Sequence, residues 1–336
     1  MTSNTPPYLA ELDVALRQSV DLHLHDEEGF GLMVRYALGW VTANGEPYNQ
    51  PTGKRLRPLV MLLCANAISE DWRSALPAAV AVELLHNFSL IHDDIQDDSP
   101  VRHSRPTVWK IWGIANAINA GDTLFTLAYS ALADLKDHLD PALVVEIWRT
   151  FNETNIELTR GQHLDMRFER QSSVTVEQYL SMIKGKSAAL IATSAYFGAL
   201  IASKDINRAK HFADFGLNLG IAFQIHDDIL GIWGDSSITG KSAATDLISR
   251  KKSLPVLHGL NASDRLRELY NKPVFEEDDL EAIFQELTVV GSQAYTRQQE
   301  NHYYTIAMQS LEMANPDPAL RPALDDFVNF LFQRTY

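Results

Sequence analysis

Four aspartates fall within six residues in "IHDDIQDD", Asp93, Asp94, Asp97 and Asp98, directly after an apolar run. On a helix, residues four apart project from nearly the same face, about 40° apart with some 6 Å of rise. Asp93 with Asp97 forms one such pair. Asp94 with Asp98 forms another, turned roughly 100° away. Like charges at this spacing cost an exposed helix about 0.2–0.5 kcal/mol per pair. A multivalent cation reverses that sign. Oxygen-only ligands from one or two carboxylates, with positions left for water and phosphate oxygens, suit Mg²⁺. The competing reading is a solvated acidic helix end. A second segment, "FQIHDDIL", repeats His-Asp-Asp at Asp227 and Asp228 about 130 residues later, but Gly231 stands where an i+4 acid would be.

A cation holding a diphosphate should be joined by Lys and Arg for the remaining oxygens. Basic residues are few and they cluster: "GKRLRP" (Lys54, Arg55, Arg57), "VRHSR" (Arg102, His103, Arg105), "MIKGKSAAL" (Lys184, Lys186) and "GKSAATDLISRKKSLP" (Lys241, Arg250, Lys251, Lys252). This pairing of acidic and basic clusters points to a diphosphate site.

The elements that carry these residues read as helices almost throughout. Apolar residues recur at three- and four-residue intervals, and no alternating strand is evident. Pro77, Pro100, Pro106, Pro141, Gly234, Gly240 and Pro255 punctuate the segments. The expectation is one all-α domain over residues 1–336. Of the 336 residues, 46% are hydrophobic and 21% charged, so broad helix faces turn inward. A net charge of −14 argues against nucleic acid as a partner. The single cysteine, Cys64, lies in an apolar run, which fits core packing and a cytoplasmic, reducing setting. "MTSNTPPYLAEL" has no secretory pattern, and the longest apolar runs fall short of a membrane span, so no membrane anchor is expected.

Seven pieces in order, "GKRLRP", "ELLHNFSLIHDDIQD", "RPTVW", "GQHLD", "KGKSAAL", "AFQIHDDIL" and "GKSAATDL…KKSLP", make the chain resemble the trans-prenyl diphosphate synthases of the polyprenyl synthetase family. The match runs from about Gly53 to Pro255. The resemblance implies an all-α bundle around a deep central cavity, a homodimer, and a Mg²⁺ cofactor (three ions, with Mn²⁺ as a substitute). It implies that Lys54, Arg57 and His86 hold isopentenyl diphosphate. Asp93 and Asp97 match metal ligands, with Asp94 as the motif's second aspartate, and Arg102 matches an arginine on the allylic diphosphate. Lys186, Ser187, Gln224, Lys241 and Lys251 match the far wall of the allylic site. Asp227 matches a further metal ligand, with Asp228 beside it.

Two positions depart from the family pattern. His103 replaces an arginine that binds isopentenyl diphosphate, and Gly231 replaces a third aspartate. Phe88 and Ser89, five and four residues before Asp93, match the tunnel wall that limits product length. The expected product is C15 to C20, with geranylgeranyl diphosphate preferred. A class I terpene cyclase and an inactive partner subunit are the competing functions. The "GKRLR" segment with His86 argues against the first, and the intact aspartates and main lysines argue against the second. His23 and His25 read as surface, Trp109, Trp112 and Phe125 as core, and Lys184 as a helper or solvated residue. Asp98 is given no role, and Arg105 is divided between an exposed cation and a phosphate contact.

Overall fold

The computed structural model describes residues 8–25, 29–48, 53, 55–171, 173–234, 245–248, 250–272 and 274–333. Along the chain the helices are α1 (Tyr8–His23), α2 (Phe30–Ala37), α3 (Leu56–Asn66), α4 (Leu76–Gln96), α5 (Val108–Trp112), α6 (Ile114–Ala133), α7 (Pro141–Arg170), α8 (Val176–Ile183), α9 (Ala189–Ser203) and α10 (Ile206–Trp233). There follow α11 (Thr245–Ile248), α12 (Leu254–Ala262), α13 (Asp264–Tyr270), α14 (Glu277–Val289), α15 (Ser292–Met313) and α16 (Pro322–Phe332). Among the described residues the extended structure is a two-residue hairpin, β1 (Val101–Arg102) against β2 (Arg105–Pro106), and one isolated bridge, Val41 to Pro47. The all-α expectation holds. Pro77 and Pro255 each sit in the first turn of a helix, where a missing N–H costs nothing.

The chain divides into two compact units. The first comprises Met1–Phe151 with Ser194–Ala209, and the second Asn152–Thr193 with Lys210–Tyr336. In the first unit α4 is the central helix, and Ala78 to Leu85 is a fully buried run, the pattern of a helix covered on all faces. Two glycines set close approaches there. A Cβ at Gly121 would lie 2.4 Å from His92 Nε2, and one at Gly198 2.2 Å from the Met61 carbonyl oxygen. Cys64 is wholly buried on α3, and burial pushes its thiol pKa up, so its place is core.

In the second unit one apolar cluster joins Phe168, Tyr179, Met182, Ile225 and Leu254, and another joins Ile232, Val256, Leu266, Ile283 and Leu287. α8 starts with a capping box: Gln178 N–H donates to Thr175 Oγ1, and Thr175 N–H donates to the Gln178 side chain. Between α8 and α9 the chain widens into a π-turn over Lys184–Ala188. The stretches Trp72–Gln96 and Val176–Ser203 are long and apolar enough to cross a membrane, more than the sequence pattern suggests, but most of each is buried inside the protein.

Candidate active site

The first aspartate cluster sits where α4 ends. Asp97 is the C-cap, and its N–H still donates to the Asp93 carbonyl at 2.9 Å, so the two carboxylates lie one turn apart as expected. Asp98, with φ 49°, takes the left-handed conformation that comes after the cap. Its N–H donates to Ile95 O (3.3 Å) and that of Ser99 to Asp94 O (2.9 Å), the bond pair of a Schellman motif. Asp98, given no role by sequence, is therefore the helix stop, and aspartate is one of the few residues that tolerate this conformation.

The two neighbouring aspartates separate by environment. Asp93 is half-buried and Asp97 exposed, whereas Asp94 is only 6% exposed. Arg102 Nε donates to Asp94 Oδ1 at 2.7 Å. Burial raises the Asp94 pKa, the Arg102 charge and hydrogen bond lower it, and Asp97 raises it again. Asp94 thus holds Arg102 in place.

The hairpin that carries Arg102 is tied down from several sides. His103 and Ser104, with φ 50° and 61°, form the two-residue tip, the left-handed pair of a type I′ turn. Thr107 Oγ1 and Trp109 Nε1 both donate to Ser99 O, at 3.0 and 2.9 Å. Tyr36 OH donates to Pro106 O at 2.6 Å. The Arg105 guanidinium lies 4.0 Å from the Tyr36 ring centre and 4.2 Å from that of Tyr48, and donates to Val41 O at 2.8 Å. Arg105 is a stacked anchor, so the reading of it as an exposed cation does not stand. A pocket beneath the hairpin is lined by Tyr36, Asn87, Asp94, Arg102, His103 and Arg105.

His86, on α4, stands 3.0 Å through Nε2 from Arg57 Nη1 on α3. Arginine only donates, so Nε2 accepts and the ring proton sits on Nδ1. Burial first, then the charges of Arg57, Arg102 and His103, push the His86 pKa well below its ordinary value. The ring is neutral amid cations. One turn earlier, buried Glu83 accepts from Asn87 Nδ2 at 3.0 Å, and burial raises its pKa against the pull of Arg55 and Arg57. Phe88 contacts the rings of His92 (4.6 Å) and Phe125 (5.1 Å), and Phe125 meets Tyr129 at 5.1 Å. Ser89 Oγ is turned back to His86 O at 2.8 Å.

In the second unit the same division recurs. Asp227 is exposed and Asp228 is 1% exposed. Tyr179 OH donates to Asp228 Oδ2 at 2.5 Å, Leu254 N–H to the same oxygen at 3.0 Å, and Gln224 Nε2 to Oδ1 at 3.2 Å. Ser187 Oγ donates to Gln224 Oε1 at 2.7 Å. Lys186, half-buried in the π-turn, pairs with Asp165 of α7. That turn presses on α7. A Cβ at Gly161 would fall 2.2 Å from Lys186 N, and one at Gly185 2.6 Å from Glu157 O. Lys184 is exposed and Lys251 half-buried. Lys54 and Lys241 lie outside the described residues.

Asp165, Tyr179 and Gly161 join the site without having been expected there, although "GQHLD" contains two of them. An acid four residues after a helical glycine was the available signal. Among the described residues no three His, Cys, Asp or Glu side chains form a ready metal cage. Accessible Asp93 with Asp97, and Asp227 in the other unit, still fit Mg²⁺, which takes one or two carboxylates and completes its shell with water and substrate phosphate.

The family model for polyprenyl synthetase matches residues 39–287. The chain is 38% identical over 314 residues to a "(2E,6E)-farnesyl diphosphate synthase" of Mycobacterium tuberculosis, covering 90% of this chain and 85% of that protein. It is 36% identical over 289 residues to a "Geranylgeranyl pyrophosphate synthase" of Geoglobus acetivorans, covering 86% and 89%. Among solved structures, a polyprenyl synthetase from Streptomyces coelicolor A3(2) superposes with a TM-score of 0.89 at 34% identity, covering 96% of each chain.

Proposed function

Because the chain belongs to the polyprenyl synthetase family, and is a prenyltransferase, we propose that it joins isopentenyl diphosphate head-to-tail to an allylic diphosphate (dimethylallyl, geranyl or farnesyl). The product is an all-trans prenyl diphosphate of C15 to C20, with geranylgeranyl diphosphate preferred. The observation that carries this reading is the accessible Asp93–Asp97 pair beside Arg57, Arg102 and His103 around neutral His86.

Arg57, His86 and His103, with Lys54, bind isopentenyl diphosphate, while Arg102, oriented by Asp94, reaches the allylic diphosphate. Lys186, Ser187, Gln224 and Lys251, with Lys241, bind the allylic diphosphate as well. Mg²⁺ held by Asp93, Asp97 and Asp227, with three ions expected, supplies charge neutralisation of the leaving group when bound. The allylic C–O bond breaks, and pyrophosphate departs with the electron pair. The isopentenyl double bond forms the new C–C bond, and the proton it sheds goes to pyrophosphate. Arg57, Arg102 and Lys186, held by His86, Asp94 and Asp165, favour this because they meet developing negative charge without reorganising.

Phe88, its ring held between His92 and Phe125, is the proposed brake on chain growth, with Ser89 leaving room beside it. The farnesyl and geranylgeranyl relatives, at 38% and 36% identity, do not decide the length. We read the whole chain as one functional domain working in the cytoplasm as a homodimer. The test is to incubate purified protein with Mg²⁺, isopentenyl diphosphate and each allylic diphosphate, then size the products. C20 chains are expected. Chains beyond C25 would overturn the length, cyclic hydrocarbons would mean a terpene cyclase, and no product would mean an inactive partner subunit.

A further inference from the structure

Asp228 neighbours a proposed metal ligand, but its surroundings are those of an anchor. It is 1% exposed and accepts from Tyr179 of α8, from Gln224 one turn back on α10, and from the Leu254 amide. That amide is the first of α12, one of the N–H groups a helix cannot satisfy itself. The preceding Ser253 does not cap it, because the Ser253 hydroxyl makes no side-chain cap bond. Asp228 therefore caps α12 from another helix, placing a carboxylate at the helix's positive end.

The segment just before α12 is pinned at every neighbour of Lys251. The Arg250 guanidinium lies 3.8 Å from the Phe275 ring centre, and its Nη1 donates to Tyr270 O at 3.3 Å. Lys252 Nζ donates to Phe168 O at 2.6 Å and to Gln171 O, closing the C-terminal end of α7. Leu254 is held by Asp228. The same carboxylate fixes Gln224, which in turn fixes Ser187.

We propose that Asp228 is a positioning residue, a tertiary helix cap that sets the places of Lys251, Gln224 and Ser187 for the allylic diphosphate, and that it does not ligate metal. This rests on the proposed function for the identity of the ligand, while the cap itself does not. Asp228→Asn separates the roles. Its carbonyl oxygen still accepts from Tyr179 and Leu254, and its amide is matched if Gln224 turns over and Ser187 accepts instead of donating. Asp228→Ala removes the cap. Tyr179→Phe removes one donor only.

Amide hydrogen exchange over residues 250–257, measured without metal or substrate, should rise about tenfold or more at Leu254 in Asp228→Ala, the order expected for one lost buried hydrogen bond. In Asp228→Asn it should stay within about threefold of wild type. In condensation assays Asp228→Ala should raise the allylic KM about tenfold or more with a smaller fall in kcat. Asp228→Asn should recover most of that loss. The Mg²⁺ concentration for half-maximal rate should stay within about twofold of wild type in Asp228→Asn and shift strongly in Asp227→Asn. If Asp228→Asn moves the Mg²⁺ requirement as far as Asp227→Asn while exchange at Leu254 is unchanged, Asp228 is a ligand and the proposal is wrong. Should Asp228→Ala fail to fold, Asp228→Asn and Tyr179→Phe decide the matter by the same two readouts. A wild-type protein that condenses no prenyl diphosphate would defeat the proposed function, and the exchange result would still judge the cap.

Discussion

Gly161→Ala is a one-methyl test of whether the contact between α7 and the π-turn places Lys186. The added Cβ would lie 2.2 Å from Lys186 N, 2.7 Å from Gly185 C and 2.8 Å from Lys186 Cα. All three are backbone atoms, so no side chain can swing aside. Ordinary contact begins at 3.4 Å, which means the two segments must part by about 1.2 Å. Asp165, which pairs with Lys186, is one turn along the same helix and moves with it. Overpacking of this kind costs about 1–3 kcal/mol of stability. A displacement near 1 Å at a residue proposed to meet the diphosphate should cost about a hundredfold in rate, or about 2.7 kcal/mol of transition-state binding. The assay is kcat/KM for the allylic diphosphate, with a melting temperature measured alongside. Gly259→Ala is the control, since its Cβ would meet Leu287 and Leu266 side chains at 2.5 and 2.6 Å in the apolar core. It should lose less stability, because those side-chain ends can shift, and keep activity within about threefold. Combining Gly161→Ala with Lys186→Ala should add little to Lys186→Ala alone, because both act through one ammonium. A folded Gly161→Ala enzyme with near-normal kcat/KM would show that the contact does not place Lys186.

His86 gives a pH dependence of known sign. Its folded pKa lies below the ordinary value, so the unfolded chain takes up the proton first as pH falls through about 6.5, and stability is present above that pH and lost below it. The slope from this group is at most about 1.4 kcal/mol per pH unit, reduced by its partial exposure. Urea midpoints between pH 7 and 5.5 should fall further for wild type than for His86→Gln, and parallel falls would mean the ring is not held neutral. Arg105→Lys keeps the charge but loses the planar group between Tyr36 and Tyr48. It should loosen the hairpin and raise the isopentenyl diphosphate KM several-fold at near-constant kcat, and an unchanged KM would make the stack incidental. Phe88→Ala removes the ring between His92 and Phe125. Its products, sized by mass spectrometry, should lengthen by at least one five-carbon unit, and an unchanged product would place the brake elsewhere.

Helical periodicity and the i, i+4 carboxylates were legible because both are local: Asp97 does bond back to Asp93, and Pro77 and Pro255 do open helices. What lay beyond the sequence is which aspartate of each pair turns inward. Adjacent helical residues point about 100° apart, so one of two must face the protein, but the choice depends on distant partners. For Asp94 the partner is Arg102, and for Asp228 it is Tyr179 and the Leu254 amide. The stacking of Arg105 was hidden for the same reason, since its two tyrosines come from before and after the isolated bridge at Val41. The π-turn at Lys184–Ala188 leaves no mark in a 3.6-residue pattern, and the close approach at Gly161 is a property of two helices.

The repeated His-Asp-Asp thus has one physical meaning at both sites. The first aspartate stays accessible, and the second is buried to hold a cationic or helical element in place. The two sites differ in the turn of chain after the pair. α4 stops at Gln96, so Asp97 stands as its cap with its carboxylate exposed beside Asp93. α10 instead runs on to Trp233, and its i+4 position from Asp227 is Gly231, which has no side chain to offer. A cation at the first site can draw on two carboxylates before any substrate arrives. In the proposed arrangement one at the second has Asp227 as its carboxylate among the described residues and would take most of its shell from diphosphate and water, which hard cations of small radius accept. The second site should therefore depend on bound diphosphate far more steeply than the first.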